Sequence, residues 1–355
     1  MRTFAQPNFR LMNRDLQITG LCRLSVYIKN FLQKDPADFD ADDQQFQSVL
    51  LKSETENPWF TPENQRFALN QWANLLTQEK LGNWLAAYSV AKQPKRVGLI
   101  LAGNIPMVGF HDVISVVLSN HIPVIKLSSK DRLLLPFLLE KWNDLSEGAV
   151  RFETVERLQN FDAVIATGSN NTARYLEFYF KNHLSIIRKN RTSVAVLSGN
   201  ESDAELQLLA QDIFRYFGLG CRNVTRILIP EDFLVDRLFE NFIAFKGVIN
   251  HNKYANNYEY NRAIYLLNQE KFWDNNFVML KEDENLFSPL SVINISRYSD
   301  IAEVQKFISE NTLDIQAIVA KEELGLASVG FGEAQNPALD TYADHVDTMR
   351  FLEVI

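Results

Sequence analysis

The fold is decided by the stretch Val97-Gly98-Leu99-Ile100-Leu101-Ala102-Gly103-Asn104-Ile105-Pro106. Its first five residues form a continuous apolar run, which predicts a strand buried on both faces. Gly103 to Pro106 end this strand, and the residues 108–118 then predict a helix. The stretch therefore indicates a strand-loop-helix unit with an asparagine at the carboxyl end of the strand, where parallel sheets bind ligands.

The same alternation of strand and helix continues along the chain. Further strands are predicted at 122–127, 163–167, 193–197, 224–229, 290–295 and 315–320. The helices between them are predicted at 133–142, 172–180, 203–217, 232–245 and 300–309. Strands that alternate with helices predict an α/β fold in which helices cover both faces of parallel sheets.

The length of 355 residues exceeds what a single hydrophobic core usually organises, so two domains are expected. Residues 1–60 are mixed and polar and predict a peripheral N-terminal cap or arm. A first α/β domain is predicted at 61–198, because Thr61-Pro62-Glu63 has the pattern of a helix start. A second is predicted at 199–330, and the segment 331–355 is expected to pack back on the domains.

Composition and charge exclude several classes of protein. Apolar residues make up 46% of the chain, which is ordinary for a globular protein and excludes a largely disordered one. The net charge is −8 and no basic block occurs, so nucleic acid is not an expected partner. Residues 1–14 lack the apolar run of a signal peptide, and no apolar stretch reaches membrane-spanning length. With two cysteines and no disulfide framework, a cytoplasmic location is expected.

The sharpest local feature is Gly218-Leu219-Gly220-Cys221-Arg222-Asn223, between a predicted helix and a predicted strand. Glycines beside a cysteine let the backbone turn sharply and approach a substrate closely. Arg222 next to the thiol favours the reactive thiolate. The alternative is a buried structural cysteine, which the cysteine taken alone favours. Cys22 lacks flanking glycines on both sides, and we interpret it as structural.

Three further features lie at the ends of predicted strands. Asn104 carries an amide that can donate to a developing oxyanion, although Gly, Asn and Pro are also ordinary turn residues. Lys126 ends the second strand, where it either reaches a nucleotide or is simply solvated. Gly168-Ser169 follows the third strand at the start of a helix, which suits phosphate. Each feature alone is a weak signal.

The order of these features resembles that of the aldehyde dehydrogenase superfamily over nearly the whole chain. More closely, the chain is similar to the fatty acyl-CoA reductases of the bacterial luminescence (lux) system. This similarity includes the Gly-Asn-Ile-Pro segment, the Thr-Gly-Ser turn, the Gly-Leu-Gly-Cys loop and the ending 347–352. The resemblance implies an aldehyde-dehydrogenase-like fold, with a Rossmann-type NAD(P)-binding domain at 61–198 and a catalytic domain carrying Cys221 at 199–330.

The resemblance also assigns residues by position. It implies that Cys221 is the nucleophile and that Asn104 stabilises the oxyanion. The cofactor contacts that it implies are Lys126 at the adenosine ribose, Ser129 beside the ribose 2′ position, Gly168 and Ser169 at the pyrophosphate, and Phe287 near the nicotinamide. No metal site is predicted.

Departures from the superfamily pattern refine the chemistry. The stretch Val196-Leu197-Ser198-Gly199 stands where hydrolytic members carry a Glu that activates water, so we expect thiol exchange with coenzyme A rather than hydrolysis. Asn285 replaces a Glu that usually holds the nicotinamide ribose. Ser129 stands where NAD-preferring members carry a Glu, and the nearby Lys126 and Lys130 attract a 2′-phosphate. NADPH is therefore the expected cofactor, with NADH as the alternative.

The sequence thus predicts reduction of an acyl-CoA, with a long fatty chain implied by the resemblance, to the aldehyde through an acyl-Cys221 intermediate. His111 is a candidate proton donor, although a histidine on an apolar helix is more often structural. One alternative is a CoA-acylating dehydrogenase of short aldehydes. Another is an acyl-handling subunit that needs an acyl-protein synthetase or transferase, and a third is a nucleotide-binding structural protein with an inert Cys221. The resemblance also implies a homo-oligomer.

Overall fold

The computed structural model describes residues 13–355, and the chain divides into two compact units. The first unit extends to Lys189 and includes Ala338–Tyr342 and Val346–Ile355. The second comprises Asn190–Pro337 and Ala343–His345. Residues 1–12 lie outside the described residues. They belong to the predicted N-terminal cap and to the segment predicted to lack a signal peptide.

The first unit contains a five-stranded sheet and the helices around it. Its helices are α1 (Arg14–Gln33), α2 (Ala41–Glu56), α3 (Pro62–Leu75), α4 (Gln78–Leu85), α5 (Phe110–Leu118), α6 (Leu134–Leu145) and α7 (Asn170–Phe180). Its strands are β1 (Arg96–Ile100), β2 (Ile122–Lys126), β3 (Glu153–Thr154), β4 (Ala163–Thr167) and β5 (Leu184–Arg188). The strand order is β3-β2-β1-β4-β5 and all pairs are parallel, as the apolar runs predict.

Residues 13–60, expected as a cap, form two long helices of the first unit. Asn13 caps α1, and Asp40 begins α2 in a reciprocal capping box with Asp43. Leu21, Leu24 and Ile28 follow helical spacing on α1, and all three are fully buried in the same core as the sheet. These helices are therefore part of the packed core of this unit.

The second unit contains a six-stranded sheet. Its helices are α8 (Asp203–Phe214), α9 (Asp236–Phe242), α10 (Asn252–Leu267) and α11 (Ile301–Glu310). Its strands are β6 (Thr192–Val196), β7 (Val224–Pro230), β8 (Trp273–Asp274), β9 (Met279–Glu282), β10 (Val292–Tyr298) and β11 (Ile315–Ala320). The order is β11-β6-β7-β10-β9-β8, and all pairs are parallel except β8 with β9.

The end of the chain returns to the first unit as helix α12 (Thr348–Glu353). Arg188, at the end of β5, forms a buried ion pair with Asp112 and donates to the hydroxyl of Thr348 at 3.0 Å. This contact ties α12 to α5 and β5. Of the helices that the structure describes, none is both long enough and apolar enough to cross a membrane.

Candidate functional site

The turn that carries Cys221 connects α8 to β7 in the second unit. The chain leaves α8 at Phe214 and reverses through Tyr216, Phe217 and Gly218, whose φ angles are 54°, 58° and 78°. Glycine adopts this left-handed conformation freely, whereas it costs other residues about 1 kcal/mol or more each. Three such residues in a row make a sharp reversal that is strained at Tyr216 and Phe217, and strain of this kind concentrates at functional sites.

Asn223 holds this turn in place from a fully buried position. Its side-chain amide donates to the carbonyl oxygens of Asp212 and Ile213 at 3.0 and 3.2 Å, and to that of Arg215 at 2.8 Å. Its Oδ1 accepts from the backbone amide of Gly220 at 2.8 Å. One side chain therefore satisfies the carbonyls at the end of α8 and fixes the residue before Cys221.

Cys221 itself is half-buried. Its carbonyl oxygen accepts from the Ser193 hydroxyl at 3.1 Å, and the Thr192 hydroxyl donates to the Asn223 carbonyl at 3.3 Å. Burial lowers the pKa of Arg222, while an electrostatic interaction with Cys221 acts in the opposite direction. The thiol thus lies on a turn that is bonded to β6 on one side and has a guanidinium next to it in the chain.

Asp212, on α8, connects the helix to a later segment of the second unit. Its carboxyl oxygens accept from the amides of Gly332 at 2.7 Å and Ala334 at 3.0 Å. Burial raises the pKa of Asp212 to about 7, although both backbone hydrogen bonds lower it. The carbonyl of the same residue receives the Asn223 amide, so Asp212 connects the Cys221 turn to residues 332–334.

The segment that carries Phe287 is attached to the strand that follows Cys221. The Thr225 hydroxyl, in β7, donates to the Leu286 carbonyl at 3.1 Å, and Arg226 donates to the carbonyl of Glu284. Asn294, in β10, donates to two carbonyls of the same segment. Phe287 keeps 41% of its surface exposed, so the second unit presents an aromatic ring on a segment fixed to β7.

The stretch Val196–Gly199, taken from the sequence as the place of a missing catalytic acid, lies away from Cys221. Ser193 contacts the Cys221 carbonyl, whereas Val196, at the place of the Glu, follows three residues later in β6, about 10 Å away at the rise of a strand, and pairs with Leu228 of β7. The acid nearest to Ser198, Glu201, is buried and accepts from the Ser198 and Gly199 amides. The stretch therefore lies at the other end of β6 from the Cys221 turn, and its lack of an acid says nothing about deacylation at Cys221.

Three candidate site residues, one catalytic and two cofactor-binding, lie at the carboxyl edge of the first unit's sheet. Ile100 pairs with Lys126, so the loops after β1 and β2 start side by side and bring Asn104, Lys126 and Ser129 to one edge. A Cβ on Gly103 would lie 2.6 Å from the Ser128 hydroxyl, so the close packing of the two loops requires glycine there.

Asn57, which the sequence analysis missed, clamps these two loops together. It is buried, and its amide donates to the carbonyls of Gly103 at 3.2 Å and Lys130 at 3.3 Å. In the sequence, the pair Asn57-Pro58 indicates only the end of a helix. Its partners are 46 and 73 residues away, and nothing local predicts them.

Gly168 and Ser169 lie at the same edge, between β4 and α7. The Gly168 amide donates to the Arg188 carbonyl at 3.1 Å, so it already serves the strand pairing. Ser169 is exposed and caps α7, accepting from the Thr172 amide at 3.3 Å. The first unit therefore brings Gly168 and Ser169 to the edge that holds Asn104, Lys126 and Ser129, whereas Cys221 and Phe287 belong to the second unit.

The candidate proton donor His111 is engaged within the first unit. Its Nε2 lies 2.8 Å from the Leu339 carbonyl and therefore carries a proton, and its ring packs against Trp84 and Tyr342. These contacts favour the structural role. Within residues 13–355, no cluster of three or more His, Cys, Asp or Glu side chains is arranged to hold a metal ion.

Solved structures with a similar fold cover most of the chain. Aldehyde dehydrogenase 21 from Physcomitrella patens, solved with its product succinate, matches with a TM-score of 0.65 at 14% identity over 97% of this chain and 84% of that one. The Mycobacterium tuberculosis aldehyde dehydrogenase with NAD+ matches with a TM-score of 0.59 at 14% identity, over 89% and 74% of the two chains.

A mutant of aldehyde dehydrogenase C from Pseudomonas syringae, solved with NAD+ and octanal, matches with a TM-score of 0.61 at 13% identity over 87% and 72% of the chains. No protein-family model and no curated protein matches the sequence. At these identities the likeness establishes the fold, and the chain has the α/β fold of aldehyde dehydrogenases, as expected.

Proposed function

We propose that this protein reduces an acyl-CoA thioester to the aldehyde with a nicotinamide cofactor, through an acyl group carried on Cys221. The observation that supports this most is the turn at Cys221. A half-buried thiol lies on a strained reversal whose backbone is fixed by Asn223 and Ser193. A fold shared with aldehyde dehydrogenases supports the same class of redox chemistry.

The first step is acyl transfer to the protein. The Cys221 thiolate, favoured by the neighbouring Arg222, attacks the thioester carbonyl carbon and forms an Sγ–C bond. The tetrahedral oxyanion then collapses, the bond to the coenzyme A sulfur breaks, and coenzyme A leaves as a thiolate that takes a proton from water. After reduction of the acyl carbon, the Sγ–C bond breaks with its electron pair on sulfur, which releases the aldehyde and restores the Cys221 thiolate.

The residues at the carboxyl edge of the first unit fit a nicotinamide dinucleotide. Asn57 holds two loops together there, and Lys126, Ser129 and Ser169 lie where the strands end. When bound, the reduced cofactor supplies the two electrons and the hydrogen that the acyl carbon gains. Ser129 and Lys130 are both exposed, and no carboxylate stands at position 129. A 2′-phosphate is therefore attracted by Lys130 and not repelled at position 129, which favours NADPH over NADH.

Thiol exchange is preferred to hydrolysis because of the side chains next to the Cys221 turn. Thr192 and Ser193 are the β6 residues bonded to this turn, and both carry hydroxyls, which are weak bases at neutral pH. A water molecule needs a general base to attack an acyl-enzyme, whereas a thiol ionises more readily.

The proposal is tested by following aldehyde formation and NADPH oxidation with acyl-CoAs from acetyl to tetradecanoyl. Cys221→Ala should abolish both signals, while Cys22→Ala, the matched control, should keep them. Asn104→Ala should slow turnover about a hundredfold if its amide stabilises the oxyanion, as the resemblance implies. Full activity of Cys221→Ala would refute the covalent route, and a rate highest with acetyl-CoA would favour a short-chain CoA-acylating enzyme.

A further inference from the structure

A cavity of about 230 Å³ lies in the second unit directly beneath the Cys221 turn. Phe217, Gly218 and Leu219 form one side of it, and the rest is lined by residues of α8, β7, α10 and β10, by Val278 and by the segment 288–291. Ile213 and Val278 are among these residues, and both are buried. The cavity therefore adjoins the turn that carries the candidate nucleophile.

The polar side chains of the lining are occupied by protein groups. The Ser288 hydroxyl donates to the Val292 carbonyl at 2.5 Å, and the Tyr254 hydroxyl donates to the Phe277 carbonyl at 3.0 Å. The Thr225 hydroxyl donates to the Leu286 carbonyl. An occupant therefore has no need to supply hydrogen bonds, which suits a hydrocarbon chain and disfavours a polar ligand.

The cavity lies within reach of a group attached to Cys221. Leu219 lines it and is two residues from Cys221, so the two Cα atoms are at most about 7.6 Å apart along the chain. A chain of several carbons on the sulfur spans this distance. The strained reversal at residues 216–218 thus does two things, because it turns the backbone toward Cys221 and forms a wall of the cavity.

We infer that this cavity receives the apolar tail of the acyl group, and that it sets a preference for medium-length chains. The inference rests on the proposed function, since it takes Cys221 as the point of attachment. A cavity of about 150 Å³ holds benzene, which is about 25 Å³ per carbon, so about 230 Å³ holds about nine carbons. This is shorter than the long chain that the sequence resemblance implies.

The test is acylation of Cys221, measured by intact mass across straight-chain acyl-CoAs of 4 to 16 carbons in the absence of nucleotide. The half-saturating concentration should fall about fourfold per added methylene up to about nine tail carbons, and then level off. Ile293→Ala removes three carbons from the lining, so the plateau should move about three carbons longer. Ile315→Ala is the matched control, because Ile315 is similarly buried in the same sheet but packs in a different cluster.

A second measurement is independent of thioester chemistry. Straight-chain alkanols of 4 to 14 carbons should bind the Cys221→Ala variant in calorimetry with the same plateau, and Ile293→Ala should extend it there too. Acylation of Cys221 without any dependence on chain length, or an equal shift of the plateau in Ile315→Ala, would overturn the cavity assignment while leaving the proposed function standing. If no acyl-CoA labels Cys221 but the alkanols show the plateau, the proposed function fails and the cavity remains an apolar binding site.

Discussion

Replacement of Asn223 by alanine tests the construction of the nucleophile turn. The variant loses the bond from the Gly220 amide and the two N–H donors that the Asn223 amide shares among three carbonyls at the end of α8. Each of these three buried donors contributes about 1 kcal/mol net, so the second unit should lose about 3 kcal/mol of its free energy of unfolding. For a unit of this size that corresponds to a melting temperature lower by about 6 to 12 °C.

The effect on chemistry should exceed the effect on stability. Without Asn223 the Gly220 amide loses its acceptor and Cys221 moves, and displacement of a reacting atom by about 1 Å can cost about a hundredfold in rate. The assay is the rate of Cys221 acylation at a temperature where the variant is folded, together with calorimetric unfolding. Because Asn223 acts by positioning Cys221, KM for the acyl-CoA should change less than the acylation rate.

A buried asparagine elsewhere in the second unit supplies the control. Asn241, on α9, is 5% exposed and its amide donates to the Arg237 carbonyl at 2.9 Å and to the Asp203 carboxylate at 3.3 Å. Asn241→Ala should lower stability but leave Cys221 acylation within about twofold of the unmodified rate. If both variants slow acylation equally, or if neither does, Asn223 does not hold the turn.

Three other expectations follow from individual contacts. Burial raises the pKa of Asp212 from 3.8 to about 7, so its stabilising contribution is full below pH 4 and falls as pH rises to 7. The free energy of unfolding, measured from pH 4 to 8, should show this slope in the unmodified protein but not in Asp212→Asn. Ser129→Glu should weaken NADPH binding about tenfold in calorimetry and leave NADH binding nearly unchanged, and an equal loss of both would contradict the 2′-phosphate assignment. Asn57→Ala separates the loops after β1 and β2 and should weaken nucleotide binding at least tenfold without altering the rate of Cys221 alkylation by iodoacetamide.

The alternation of strands and helices was predictable because its signals are local. The strands at 163–167 and 315–320 are apolar except for Thr167 and Gln316, and the structure places both strands at those residues. Helix α10 was missed because its buried face consists of tyrosines spaced among asparagines, so its pattern is not one of aliphatic residues. Helices α1 and α2 were missed because polar residues outnumber apolar ones in the two helices taken together.

The details of the site were less predictable, because they depend on distant pairs. Cys221 was chosen because of the glycines around it. Nothing in the sequence indicated that Asn223 fixes this turn through contacts with four backbone groups. Asn57 contacts loops far along the chain for the same reason. The stretch Val196–Gly199 failed as a marker because order along a chain does not measure distance in a sheet.

The proposed reaction depends above all on a covalent acyl group at Cys221. Intact mass spectrometry of the protein mixed with decanoyl-CoA should show one added decanoyl group, located on the peptide that contains Cys221 and lost on addition of NADPH as decanal appears. The same mixture with Cys221→Ala should show no adduct. An unlabelled protein that still forms decanal, or a label that NADPH does not remove, would contradict the proposed route.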